Sequence, residues 1–319
     1  MRNKINSLAF IVPCLNEEQN ISSFMDHVLE IRERDPETVY RVMFVDDGST
    51  DGSREIMRAL AREHIGVSYI LLTRNFGAHV ALLAGLDSIF SDAAVFIPCD
   101  QKISPDLIIE MLQYARDEAD VIIGERKNRK SNFFNKIFSK LFYSSFNFLG
   151  GIKLPKGGTD FVLMTRGPMN FLRENMEYDI NVFMLLLWPG FKSKAVEYDS
   201  PPRQAGKSKW TMRKRIRLAL DSFFGFSLVP LRMITFVGLF LSTTSFLFIV
   251  YTVTLYFTIG TPVPGIPTIV TTIAFGFGIT FLGLGIIAEY LLRNLNFSRK
   301  RPFFVVEEKK ISDNLRKLK

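Results

Sequence analysis

The stretch Arg41-Val-Met-Phe-Val-Asp46-Asp47-Gly48-Ser49-Thr50-Asp51 decides how the rest of the chain is read. It begins as an apolar run of strand length and breaks into a turn rich in carboxylates. A helical pattern from Thr50 to His64 follows, with Ser49 or Thr50 suited to its N-cap. Upstream, Leu8-Ala-Phe-Ile-Val-Pro13 is a strand of the same kind, leading into a helix from Glu17 to Arg34. Downstream, strands at Ser68–Leu72, Ala93–Pro98 and Asp120–Gly124 alternate with helices at Ala78–Ile89 and Pro105–Glu118. Short, continuously apolar strands spaced by helices predict an α/β fold with a mostly parallel sheet covered on both faces. In such sheets ligands bind at the carboxyl ends of the strands.

The polar residues gather at those ends. Asn16, Glu17 and Glu18 follow the first strand, Asp46 to Asp51 the second, and Asp100 the fourth. Adjacent carboxylates repel one another unless donors or cations compensate. Taken alone, Asp46-Asp47-Gly48-Ser49 reads as a tight turn and helix cap. Three acidic clusters on one edge point to a nucleotide site. No Gly-x-Gly-x-x-Gly follows the first strand and no Walker-type lysine loop occurs, so dinucleotide and P-loop readings find no support. Cys14 and Cys99 both end predicted buried strands, which indicates no disulfide framework. Three scattered histidines make no zinc-like cluster.

The last third differs in character. From Met233 to Leu292 there is no Lys, Arg or Asp, and Glu289 is the one carboxylate. A bilayer core takes roughly 20 apolar residues per helix. Two spans fit, Met233–Phe257 and Ile266–Leu291, separated by the helix breakers of Thr258-Ile-Gly-Thr-Pro-Val-Pro-Gly265. The net charge of +8 is concentrated beside them, in Arg213-Lys214-Arg215-Ile216-Arg217 and Arg299-Lys300-Arg301. Beside apolar stretches, such runs read as membrane-surface anchors and not as a nucleic-acid patch. The loop between the spans carries no positive charge, so both termini are expected to be cytoplasmic. The start, Met1 to Ser7, lacks the apolar core of a signal peptide. Asn132–Leu149 mixes aromatics with lysines and suits either a helix at the headgroup level or packing on the soluble domain. The expected division is a catalytic domain over 1–208, a juxtamembrane helix over 209–232, a membrane hairpin over 233–292 and a basic cytoplasmic tail over 293–319.

Taken in order, these motifs resemble a known family. Val12-Pro13-Cys14-Leu15-Asn16-Glu17-Glu18 and Val45-Asp46-Asp47-Gly48-Ser49-Thr50-Asp51 resemble the opening of family 2 glycosyltransferases. The likeness continues through Thr73-Arg74-Asn75-Phe76-Gly77, Ala84-Gly85-Leu86-Asp87, Gly158-Thr159-Asp160-Phe161 and Arg203-Gln204-Ala205-Gly206-Lys207-Ser208-Lys209-Trp210. With two C-terminal spans, the chain is similar to the polyprenyl-phosphate glycosyltransferases. The resemblance implies a Rossmann-like nucleotide-sugar domain of GT-A type, followed by interfacial helices and two transmembrane helices. It implies that Pro13, Asn16 and Glu18 line the nucleotide pocket, and that Asp46 contacts the base or ribose with Asp47 nearby. Asp100 is then expected at the diphosphate and at a metal, and Asp160 in the place of the catalytic carboxylate. Arg203, Ser208 and Lys209 belong to a mobile loop that closes on phosphate. Asn75 and Gly77 are further pocket candidates.

The family carries Asp-x-Asp at the end of the fourth strand, where it holds a divalent cation. Here the stretch is Pro98-Cys99-Asp100-Gln101-Lys102, so a proline replaces the first carboxylate. Mg²⁺ or Mn²⁺ is still the implied cofactor, with Asp100 as ligand. Lys102 either points to solvent or helps neutralise the donor diphosphate, which would lower the dependence on metal. The expected reaction is inverting transfer of a sugar from a nucleotide-sugar to a polyprenyl phosphate, undecaprenyl phosphate in a bacterial inner membrane. Membrane lipid and further copies of the chain are the expected partners. Two other readings compete: a catalytically weakened membrane scaffold, favoured by the missing carboxylate at Pro98, and a polysaccharide synthase. The latter carries a Gln-x-x-Arg-Trp motif that this sequence lacks.

Overall fold

The computed structural model describes residues 4–101, 103–126, 161–176, 181–198, 265–298 and 301–312, with single helical positions between 236 and 258. The chain divides into two units, one of Met1–Asp221 with Pro302–Lys319 and one of Ser222–Arg301.

In the first unit the strands are β1 (Ser7–Cys14), β2 (Val39–Asp46), β3 (Val67–Leu72), β4 (Ala93–Phe96), β5 (Val121–Arg126), β6 (Phe161–Thr165), β7 (Ser193–Tyr198) and β8 (Val306–Lys310). Among the described residues they form one eight-stranded sheet in the order β7-β5-β6-β4-β1-β2-β3-β8. The central run β4-β1-β2-β3 is parallel, as the sequence predicts. β6 runs antiparallel between β4 and β5, and β8 runs antiparallel along β3. β1 lies at the middle with Leu8, Ala9, Phe10, Ile11 and Val12 all 1% exposed or less. That burial on both faces explains its unbroken apolar sequence.

The helices are α1 (Glu18–Arg34), α2 (Ser53–Glu63), α3 (Ala78–Ser88), α4 (Pro105–Asp117), α5 (Arg166–Glu174) and α6 (Val182–Leu187). α1 buries Ile21, Phe24, Met25, Val28 and Ile31, the single stripe of an amphipathic helix. α3 instead buries Ala81 to Leu86 together and crosses the sheet closely. A Cβ at Gly85 would stand 2.6 Å from Ile11 Cγ2 and 2.9 Å from Val45 Cγ2. Only a residue without a side chain lets this helix sit against those stiff β-branched neighbours.

Two expectations are corrected here. α2 starts at Ser53, with Gly52 before it and no side-chain cap, so neither Ser49 nor Thr50 is its N-cap. Ser49 is instead bound into the preceding turn, and Asp51 Oδ1 accepts from Ser53 N at 3.1 Å. The second correction concerns the basic tail. Residues 306–310 of it form the edge strand β8, tied to α2 by ion pairs Arg54–Glu307 at 3.1 Å and Arg58–Glu308 at 2.7 Å. A strand read as Val-Glu-Glu-Lys-Lys has no apolar face, and charged residues are a usual way to blunt a sheet edge.

In the second unit, α7 (Ile266–Ser298) runs 33 residues. Several of its side chains lie outside the described set, and among the described residues no helix is long and apolar enough to cross a membrane. The segments Asn132–Leu149 and 209–232 lie outside the described residues.

Candidate functional site

Three adjacent parallel strands end at one edge of the sheet. Cys14 of β1 is in register with Asp46 of β2, and Ile11 with Phe96 of β4. Neighbouring strands lie about 4.8 Å apart. The segments that follow them, Leu15–Glu18, Asp47–Gly52 and Ile97–Gln101, therefore stand side by side.

The first two segments are knitted together. Asn16, with φ of 54°, donates its backbone N–H to Ser49 Oγ at 2.8 Å, and its Oδ1 accepts from Thr50 N at 2.8 Å. Glu17 N donates to Ser53 Oγ at 2.9 Å, and Glu18 Oε2 accepts from Gly52 N at 3.0 Å. The polar groups of Asn16 and Glu18, expected to line the pocket, thus build its wall by satisfying backbone amides of the neighbouring loop. Pro13 is partly buried within β1, opposite Val45.

Asp46 has no exposed surface. Both its oxygens accept from Ser49 N at 3.2 Å, and Oδ2 also accepts from Arg54 Nε at 2.8 Å. Contact with a base or ribose needs an exposed oxygen, and here the carboxylate organises the turn. Arg54 was not singled out from the sequence, where an arginine on a surface helix reads as solvated. It also donates Nη2 to Leu72 O at 3.1 Å, and so holds the ends of β2 and β3 together.

Asp47 reaches the other way. Its Oδ1 accepts from Phe76 N at 2.7 Å and its Oδ2 from Gly77 N at 3.0 Å. The Arg74–Gly77 loop is thereby fixed against the Asp46–Ser49 turn. Burial, aided by the charge of Asp46, pushes the Asp47 carboxyl up to about 6, against the pull of the two amides. Because this exceeds the ordinary 3.8, the folded chain binds the proton more tightly than the unfolded one between those values. Ionised Asp47 opposes folding, so its contribution improves as pH falls through that window and is lost as pH rises through about 6. The stability of the wild type relative to Asp47→Asn should therefore rise from pH 7 to pH 4. The change is on the order of 2–3 kcal/mol, at about 1.4 kcal/mol per unit. Denaturant melts of both proteins across this range check it, and a flat or opposite difference contradicts it.

Asp100 is partly exposed, in a turn closed by Gln101 N donating to Pro98 O at 3.2 Å. Gln101 Oε1 is buried without a hydrogen-bond partner among the described residues. Behind the turn, Cys14 and Cys99 are both buried free thiols. Burial, with the neighbouring Cys99 thiol, pushes Cys14 up, which makes it unreactive. His79 sits at the start of α3, edge-on to Phe183 at 5.7 Å between ring centroids. Burial lowers it to about 4, which favours the neutral imidazole near pH 7.

Among the described residues no group of three His, Cys, Asp or Glu could hold a metal. The donor set at the end of β4 is one carboxylate, Asp100, with Pro98 where a second would stand. One carboxylate together with substrate phosphates suits Mg²⁺ or Mn²⁺. Asp160, Lys102, Arg203, Ser208 and Lys209 lie outside the described residues. The strand that follows Asp160 is β6, whose Val162 pairs with Phe96 at the carboxyl end of β4.

The model of the family described as Glycosyl transferase family 2 matches residues 9–176. The bactoprenol glucosyl transferase of Shigella phage SfV is 32% identical, over 95% of this chain and 99% of that protein. The uncharacterized glycosyltransferase YkcC of Bacillus subtilis is 32% identical, over 94% of this chain and 93% of that protein. Among solved structures, glucosyl-3-phosphoglycerate synthase from Mycobacterium tuberculosis, in complex with Mn²⁺, uridine-diphosphate-glucose and phosphoglyceric acid, is 14% identical. Its TM-score is 0.49, over 68% of this chain and 79% of that one.

Proposed function

The chain belongs to glycosyl transferase family 2, and from that premise we propose that it moves a sugar from a nucleotide-sugar onto a polyprenyl phosphate at the cytoplasmic face of a bacterial inner membrane. Undecaprenyl phosphate is the proposed acceptor. The observation that carries this reading is the likeness to bactoprenol glucosyl transferases over nearly the whole chain, the apolar segment included. The acidic edge formed by β4, β1 and β2 supports it, as the place where such a sheet takes a nucleotide ligand.

The topology supports a membrane hairpin. Both segments flanking Ser222–Arg301 belong to the same unit. A membrane-crossing segment between them must therefore return to the side it left, which requires an even number of crossings. Phe277, Phe281, Leu284, Ile287 and Leu291 are exposed along α7, as lipid contact would have them. The basic flanks support a cytoplasmic placement of both termini.

A lipid phosphate monoester carries a nucleophilic oxygen that is already anionic near neutral pH. That oxygen bonds to the anomeric carbon while the bond from this carbon to the diphosphate breaks. The nucleoside diphosphate leaves with the electron pair and the sugar is inverted. Little proton transfer is needed, so alignment and preorganised charge supply the acceleration. Asp100 is assigned to the diphosphate, and Mg²⁺ or Mn²⁺ held there would neutralise leaving-group charge. Asp160 is assigned beside the reacting carbon, and Arg203, Ser208 and Lys209 to the phosphates, where guanidinium and ammonium groups give charge-assisted bonds.

The test incubates the purified full chain with polyprenyl phosphate and a panel of labelled nucleotide-sugars. One donor should yield a labelled lipid with inverted anomeric configuration by NMR. A polymeric product, a retained configuration or no labelled lipid from any donor contradicts the proposal.

A further inference from the structure

We propose that Glu307, acting through Arg54, is a positioning residue for the acidic loop after β2, so that the strand returning from the apolar segment completes the donor site. The inference rests on the reading that this edge takes the nucleotide-sugar.

The geometry that carries it is a β-bulge. β8 pairs with β3 as Tyr69↔Lys310, Ile70↔Lys309 and Leu71↔Glu308, but Leu72 pairs with Val306. Glu307 is the extra residue. Successive side chains of a regular strand point to opposite faces, and a bulge re-aims one of them. The bulge lets two consecutive carboxylates both meet α2. Glu308 receives Arg58 Nη2 at 2.7 Å and the Tyr69 hydroxyl at 2.5 Å. Glu307 receives Arg54 Nη1 at 3.1 Å. The two arginines lie one turn apart on the same helix face.

The two clamps differ in what they reach. Arg58 also bonds Glu55 at 3.4 Å, so its partners lie on α2 and β8. Arg54 extends inward, with Nε on Asp46 and Nη2 on Leu72 O. The guanidinium is thus held in one plane by Glu307, Asp46 and a carbonyl. Asp46 in turn holds Ser49 N, and Ser49 Oγ holds Asn16 N. An unbroken chain of hydrogen bonds runs from the C-terminal strand to the loops after β1 and β2. Thr73 N donating to Val305 O at 3.1 Å anchors the same strand beside the Arg74–Gly77 loop.

Arg54 and Asp46 come from the first part of the chain and Glu307 from beyond Ser222–Arg301. The donor loop therefore reaches its final geometry only once the chain has passed through that segment and returned. Glu308 fastens the strand, and Glu307 transmits its position.

The experiment compares Glu307→Gln, Glu307→Asp and Glu308→Gln in the full-length protein. Donor KM, acceptor KM, melting temperature and nucleoside diphosphate affinity by calorimetry are read for each. Glu307→Gln should raise donor KM and the diphosphate Kd three- to tenfold, with acceptor KM within twofold and melting temperature nearly unchanged. Glu307→Asp should recover part of that loss. Glu308→Gln should lower the melting temperature and leave donor KM unchanged. Unchanged donor KM and Kd in Glu307→Gln overturn the proposal, as do donor KM rises that follow melting temperature equally in both Gln variants. A wild type that binds no nucleoside diphosphate overturns the reading of the site itself. A wild type that binds diphosphates without transferring sugar overturns the transfer reading, and a diphosphate Kd unchanged in Glu307→Gln then overturns the positioning role while a raised one supports it.

Discussion

Asp100→Asn should lower turnover at least about a hundredfold while leaving the melting temperature within about 2 °C of the wild type. Asn would hold a cation at the diphosphate less well, and losing one preorganised source of charge stabilisation commonly costs 10²–10³ in kcat. Asp100 is the one carboxylate in the stretch Pro98–Lys102, so no neighbour in that stretch replaces it. The fold should hold, because the residue is partly exposed, Asn keeps its size and one acceptor oxygen, and the turn is closed by the backbone bond from Gln101 to Pro98. Steady-state kinetics with a thermal melt of the same preparation check the split. Wild-type turnover would remove Asp100 from the chemistry, and a large loss of stability would make the residue structural.

Gly48→Ala should damage fold and site together. Gly48 has φ of +79°, where a side chain is strained, and a Cβ there would stand 2.7 Å from both Arg74 C and Asn75 N. Those are backbone atoms of a loop pinned by Asp47 through Phe76 N and Gly77 N, so they cannot move aside alone. The left-handed backbone costs roughly 1–2 kcal/mol. Overpacking adds typically 1–3 kcal/mol. At about 2–4 °C per kcal/mol for a domain of this size, the melting temperature should fall by roughly 5–15 °C. Relief of the clash pushes the two loops apart, so donor KM should rise at least about tenfold. A melting temperature within about 2 °C of the wild type, or an unchanged donor KM, contradicts this.

The central strands were legible because burial on both faces leaves an unambiguous apolar run, as in Leu8–Val12 and Val42–Val45. The edge strands were not. β7 buries only Val196 and Tyr198 of its six residues, and β8 is held by ion pairs to Arg54 and Arg58 and not by apolar burial. Such a strand is specified by its partner helix, which no local pattern in Val306–Lys310 announces. The site followed the same rule. Position along the chain placed Asp46, Asp47 and Asp100 on one edge, since each follows a strand of the parallel core. It did not say which oxygen meets which donor. Asn16 and Glu18 each bind a backbone amide 34 residues away in sequence, and Arg54 reaches Asp46 only because α2 folds back along β2 and β3.

The most direct test of the claim that this edge holds the activated sugar is photo-crosslinking with an azido nucleotide-sugar, followed by peptide mapping. Label displaced by unmodified donor should fall on the segments after β1, β2 and β4, namely 15–18, 47–52 and 97–101. Displaceable label on the opposite edge, around Phe90 and Arg166, with none on those three segments, would contradict the account.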